Sequence, residues 1–149
     1  MSMIKLERIK DLFDEDIAKE LFDIVEGTGE CQYNSAQACR QFDGWNFGYC
    51  EGYLHEWIGH AFNSYVDGSG NKHYFDLSQE YLDKNHNIPF SDELELVTEM
   101  DGEDIIDQFN QDGFTHFVSI GTTTHENVKD YLRYLGSPTI AFQRMSGQL

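Results

Sequence analysis

Apolar residues recur near the helical period through the first part of the chain. Ile4, Leu6, Ile9, Leu12, Phe13, Ile17, Leu21, Ile24 and Val25 are spaced this way with acids between them. The pattern predicts one amphipathic helix or two short ones over residues 4 to 26, ended by Gly27 and Gly29. A second helix is predicted over residues 31 to 42, with Cys31, Ser35, Ala38, Cys39 and Phe42 along one stripe. That spacing sets Cys31 at the first turn, on the buried face. The period then changes to two. Trp45, Phe47, Tyr49, Glu51 and Tyr53 alternate with Asn46, Gly48, Cys50 and Gly52, and Ile58, His60, Phe62, Ser64 and Val66 alternate in the same way, which predicts two strands. Asp67-Gly68-Ser69-Gly70-Asn71 has the composition of a turn, and Lys72 to Leu77 is expected to return as a third strand beside the second.

The pattern weakens after residue 80. An irregular stretch around Asn85 to Pro89 precedes an acidic segment from Asp92 to Asp112, read as a solvated helical face, and an apolar strand candidate from Phe114 to Ile120. Thr123 or Thr124 is placed to cap a helix from His125 to Leu135, stopped by Gly136, with Thr139 to Phe142 as a last strand. Helices followed by antiparallel strands indicate an α+β fold with N-terminal helices packed on an antiparallel sheet. At 149 residues the chain is expected to form a single domain over 1–149.

Charge narrows the partners. The 27 acidic and 10 basic residues give a formal net charge of −17, and no Lys or Arg occurs between Lys84 and Lys129. Binding to nucleic acid or to anionic lipid requires cations against phosphate, so neither is expected, whereas a basic protein partner fits. The opening MSMIKLERIKDLF lacks the apolar core and small-residue cleavage site of a leader, and no run approaches the ~20 apolar residues of a membrane span, so a cytoplasmic location is expected. Three cysteines, an odd number without a C-x-x-C pair, predict reduced thiols, no disulfide framework and no structural zinc.

Three residues carry the chemistry. Cys31 opens a helix after Gly27-Thr28-Gly29-Glu30, His60 lies on the second strand, and Asp76 lies on the strand returning beside it. A three-residue loop across 66 to 70 sets Asp76 opposite His60, and one across 67 to 71 sets it opposite Phe62. Both registers put His60 and Asp76 on one face of the hairpin, whereas a four-residue loop would separate them. A free thiol ionises near pH ~8.5, and a helix N-terminus together with an imidazolium lowers that value. Asp76 would fix the tautomer and orientation of His60, and the Cys31 backbone N–H is a candidate oxyanion donor.

At these residues the chain resembles small papain-like and transglutaminase-like thiol enzymes. The resemblance is carried by Glu30-Cys31-Gln32-Tyr33-Asn34-Ser35, Tyr49-Cys50-Glu51-Gly52-Tyr53, Gly59-His60-Ala61-Phe62 and Tyr74-Phe75-Asp76-Leu77-Ser78, and covers residues 30 to 80. Phe62 stands where that group has Trp, and Leu77-Ser78 where it has Pro-Thr. The resemblance implies Cys31 as nucleophile, His60 as base and Asp76 as the third member of a triad. The expected activity is cysteine-dependent hydrolysis or acyl transfer at an amide bond of a peptide, protein or small molecule, through a thioester and without a cofactor. Asn34, Glu51 and Gln32 are the supporting candidates. Asn34 is read as bonding nearby backbone to hold its helix against the hairpin, Glu51 as a structural hydrogen-bonding group, and Tyr49, Tyr53 and Trp45 as core or cleft wall.

Two other chemistries compete with this one. His55-Glu56-Trp57-Ile58-Gly59-His60 approaches a metalloprotease motif, but a spacing of five sets the histidines about 140° apart on a helix and on opposite faces of a strand, so no metal site is expected. The alternative from another class is a non-enzymatic acidic binder, such as an immunity protein or inhibitor of a basic partner. Asp92, Glu93, Glu95, Glu99, Asp101, Glu103, Asp104 and Asp107 would supply its surface.

Overall fold

The computed structural model describes residues 2–28, 30–55 and 58–112, and the strand and helix expectations at 114–120, 125–135 and 139–142 lie outside them. Within the described residues the chain is α+β. Strand β1 (Ser2–Lys5) is followed by a single turn α1 (Ile9–Leu12), then by α2 (Glu15–Thr28) and α3 (Cys31–Gln41). Strands β2 (Phe47–Leu54), β3 (Ile58–Val66) and β4 (Lys72–Phe75) come next, then α4 (Leu77–His86), β5 (Glu93–Asp101) and α5 (Gly102–Asp112). The sheet has five strands in the order β1-β5-β2-β3-β4. Every neighbouring pair is antiparallel.

The first prediction needs correction at its start. Residues 2–5 do not continue a helix but form an edge strand on β5. Asp14 divides the helical remainder: its carboxylate accepts from the Ile17 backbone N–H at 3.0 Å, the hydrogen bond of an N-cap, and Glu15 and Asp16 follow where the helix dipole favours acids. The stripe of Leu21, Ile24 and Val25 is buried against Ala36, Ala38 and Phe42, and against Phe47, Tyr49 and Phe75 of the sheet. A second cluster, Leu6, Cys50, Leu54, Phe62, Leu82, Ile88 and Leu94, packs separately. Wholly buried Tyr49, Phe62 and Phe75 each contribute on the order of 2 kcal/mol of apolar burial.

The hairpin between β3 and β4 has the odd loop that the site requires. Asp67 N–H donates to Asn71 O at 2.9 Å across Gly68-Ser69-Gly70, and Gly70 takes the left-handed φ of +85° that a glycine tolerates. Asn63 then lies opposite Phe75, and this register aligns Asp76 with Phe62, one step diagonal from His60. Helix α3 is held to the sheet by Asn63, whose amide donates to Ser35 O at 2.9 Å and to Gly48 O at 3.0 Å.

Two further expectations are overturned. The strand Lys72 to Leu77 stops at Phe75, because Asp76 caps a helix that starts at Leu77. The acidic segment is not one solvated helical face either. Glu93–Asp101 is an interior strand between β1 and β2, and the helix that follows buries Ile105.

Candidate active site

Two helix starts and one strand converge on the site. Asp76 follows β4 in extended conformation, and its carboxylate accepts from the Gln79 backbone N–H at 3.1 Å, which starts α4. Cys31 is the first residue of α3, where Glu30 stands at the N-cap without a capping hydrogen bond from its side chain. The two starts touch: Asn34 donates its amide to Ser78 Oγ at 3.0 Å, so the first turn of α3 is tied to the first turn of α4. The partner of Asn34 is thus a side chain, in addition to any backbone bond of the expected kind.

His60 lies between these starts. Its Nε2 is 2.6 Å from Asp76 Oδ2, and both residues are wholly buried. A carboxylate can only accept, so Nε2 carries the proton that bridges them. Burial alone would lower the His60 pKa. The charge and hydrogen bond of Asp76 outweigh burial, and Cys31 adds a hydrogen-bonding and an electrostatic contribution in the same direction, raising the pKa to about 10. Nδ1 makes no full hydrogen bond and is shut off from solvent. An imidazole fixed through one nitrogen thus keeps the other for a different partner, and Cys31 is a second side chain that acts on the ring.

The three cysteines differ in kind. Cys39 and Cys50 are buried, whereas Cys31 is half-buried. Burial pushes the Cys39 thiol up to about 12 despite a hydrogen bond from Asn63. Burial and the neighbouring Glu99 also raise Cys50 far above its usual range. Both remain protonated and unreactive at neutral pH. Cys31 packs against the core on the face where the sequence pattern set it, but remains half-buried, and partial exposure is what thiol reactivity requires.

Of the supporting candidates, Gln32 presents Oε1 3.5 Å from the Cys31 sulfur. Glu51 is wholly buried and accepts from Tyr49 Oη at 2.6 Å. Burial raises the Tyr49 pKa, then the Glu51 bond and charge, then the charge at Cys31. Trp45 is exposed and packs edge-on against Phe42 and Phe47.

Sequence reasoning missed Gln79 and Ser78. The signal was present: Asp76-Leu77-Ser78-Gln79 has the D-x-x-Q spacing of a capping box, which announces a helix start. A polar cleft of about 470 Å3, lined by Asp43, Ser64, Lys72, Glu99 and Asp101 among others, opens at the far end of α3, and none of Cys31, His60 and Asp76 lines it. Among the described residues, no group of three or more His, Cys, Asp and Glu is arranged to hold a metal ion. Likewise no helix among them is long and apolar enough to cross a membrane. Comparison with known proteins returned no matching family model, no matching curated protein and no matching solved structure.

Proposed function

We propose that the protein is a cysteine-dependent hydrolase or acyltransferase acting on an amide bond, built on a papain-like or transglutaminase-like core. One observation carries this reading: a wholly buried His60–Asp76 pair at 2.6 Å whose ring is also acted on by a half-buried thiol at a helix start. An ordinary core histidine needs one partner and no nucleophile. Here the ring is charged at neutral pH, and an imidazolium beside a helix N-terminus favours the Cys31 thiolate.

The chemistry follows from those groups. The Cys31 sulfur bonds to the substrate carbonyl carbon while first-turn amides of α3 receive the developing oxyanion. The C–N bond then breaks, and His60 gives its proton to the departing amine, leaving an acyl group on the sulfur as a thioester. Water or a second amine attacks that thioester, passes a proton to His60 and restores the thiolate. Asp76 keeps the imidazole oriented throughout and stabilises its charged form.

Alkylation tests this. Iodoacetamide under native conditions is expected to label Cys31 alone, with a rate governed by a midpoint well below the ~8.5 of a free thiol. In His60→Ala the midpoint should return toward that ordinary value. Labelling that follows an ordinary thiol and ignores His60→Ala would defeat the reading.

A further inference from the structure

We propose that Gln79 is a positioning residue of this site: it acts through Asp76 to fix the orientation of His60, and so sets the ionisation of Cys31. The inference rests on the thiol-enzyme reading and adds a residue to it. Gln79 is buried, and its side-chain Nε2 donates to Asp76 Oδ2 at 2.7 Å, the same oxygen that meets His60 Nε2 at 2.6 Å. Its backbone N–H donates to the other oxygen, Oδ1, at 3.1 Å. One residue therefore grips both oxygens of the carboxylate.

The amide itself has no freedom. Ser91 N–H donates to Gln79 Oε1 at 2.9 Å, and Gln79 Nε2 donates to Ser91 O at 3.1 Å. This two-way pairing with backbone fixes which end of the amide is nitrogen, so Nε2 must face Asp76. A helix cap alone needs only the backbone donor. The second donor goes to the oxygen that the imidazole uses and holds that carboxylate on the ring. Glu80, the next residue of α4, feels the charge of Asp76 and also those of Arg8 and Asp83, with Arg8 4.0 Å from Glu80 and 3.0 Å from Asp83.

The test is Gln79→Met, near in volume and without a donor, measured by the pH dependence of iodoacetamide alkylation beside wild type and His60→Ala. The alkylation midpoint in Gln79→Met should rise by about one unit, so the rate at pH below the midpoint falls about tenfold while the alkaline plateau is unchanged. A variant with a lower melting temperature but the wild-type profile would show a merely structural role and overturn the inference. If His60→Ala also leaves the profile unchanged, the enzyme reading itself fails. If His60→Ala moves it and Gln79→Met does not, the positioning role alone falls. The wild-type side-chain amide protons of Gln79, followed by NMR, supply a readout that needs no folded variant. Slow exchange of both protons is expected, and fast exchange of either would sink the inference.

Discussion

Replacing Asp76 by asparagine separates its two duties. Asparagine is as good an N-cap as aspartate, so α4 should still start at Leu77, but the charge that holds His60 protonated is gone. Burial is then opposed only by the smaller contribution of Cys31, and the His60 pKa should fall well below its value of about 10, followed by the imidazole resonances during a pH titration. The stability consequence has a definite sign. The folded pKa lies above the unfolded value, so the stabilisation from this pair is fully present below pH 6.5 and disappears as the pH rises through about 10. Asp76→Asn should therefore cost about 3 kcal/mol in urea denaturation at pH 6, and the gap to wild type should narrow steadily toward pH 10. A constant gap would mean that the charge on His60 does not contribute. At this scale the site was partly legible: Cys31, His60 and Asp76 stand out because side-chain type, chain order and strand parity agree. Gln79 and Ser78 are legible only as part of a helix start, because what a glutamine or serine side chain does is settled when the fold supplies its partner, here Ser91 and Asn34.

Elements were legible where one period ran undisturbed. Strand β3 and helix α3 follow their patterns, and the turn before β4 follows its glycines. Strand β5 was hidden because its alternation is broken: Leu96 pairs with Gly52 and Thr98 with Glu51, so the register shifts at Val97. Leu94 and Leu96 consequently join one cluster and Met100 the other, and a period of two loses the strand at the bulge. The same bulge brings backbone against backbone. A Cβ at Gly52 would lie 1.9 Å from Glu95 O, which no rotamer change can relieve. Gly52→Ala is expected to cost about 3 kcal/mol or more in chemical denaturation, well above the ~1 kcal/mol of an average substitution. Because His60 pairs with Gly52, the loss should be accompanied by weaker amide protection at Gly59 to Ala61.

Across the whole molecule, the N-terminal segment ties the sheet to α4, so events far from the thiol bear on the element that carries Asp76. Leu6 N–H donates to Asp92 O, Glu7 N–H to Tyr74 O, and Ile9 N–H to Glu80 Oε2 at 2.9 Å, while Arg8 pairs with Asp83 at 3.0 Å and lies over Phe90. Glu80 thereby satisfies the first amide of α1 from a position 71 residues away, which is why no local pattern announced it. The arrangement has a cost. Burial, opposed in part by the Ile9 amide and Arg8, raises the Glu80 carboxyl from 4.5 to about 7. The unfolded chain thus ionises at a lower pH than the native one. The stabilisation from the neutral form is complete below pH 4.5 and is lost as the pH rises through 7. Glu80→Gln keeps an oxygen for the Ile9 N–H and cannot ionise. It should match wild type in thermal melts near pH 4 and exceed it by about 1–2 kcal/mol at pH 8, a gain held small because glutamine no longer attracts the Arg8 guanidinium. A variant less stable than wild type at pH 8 would show that the Arg8 ion pair outweighs burial, and would make this carboxylate a net source of stability for the strap over α4.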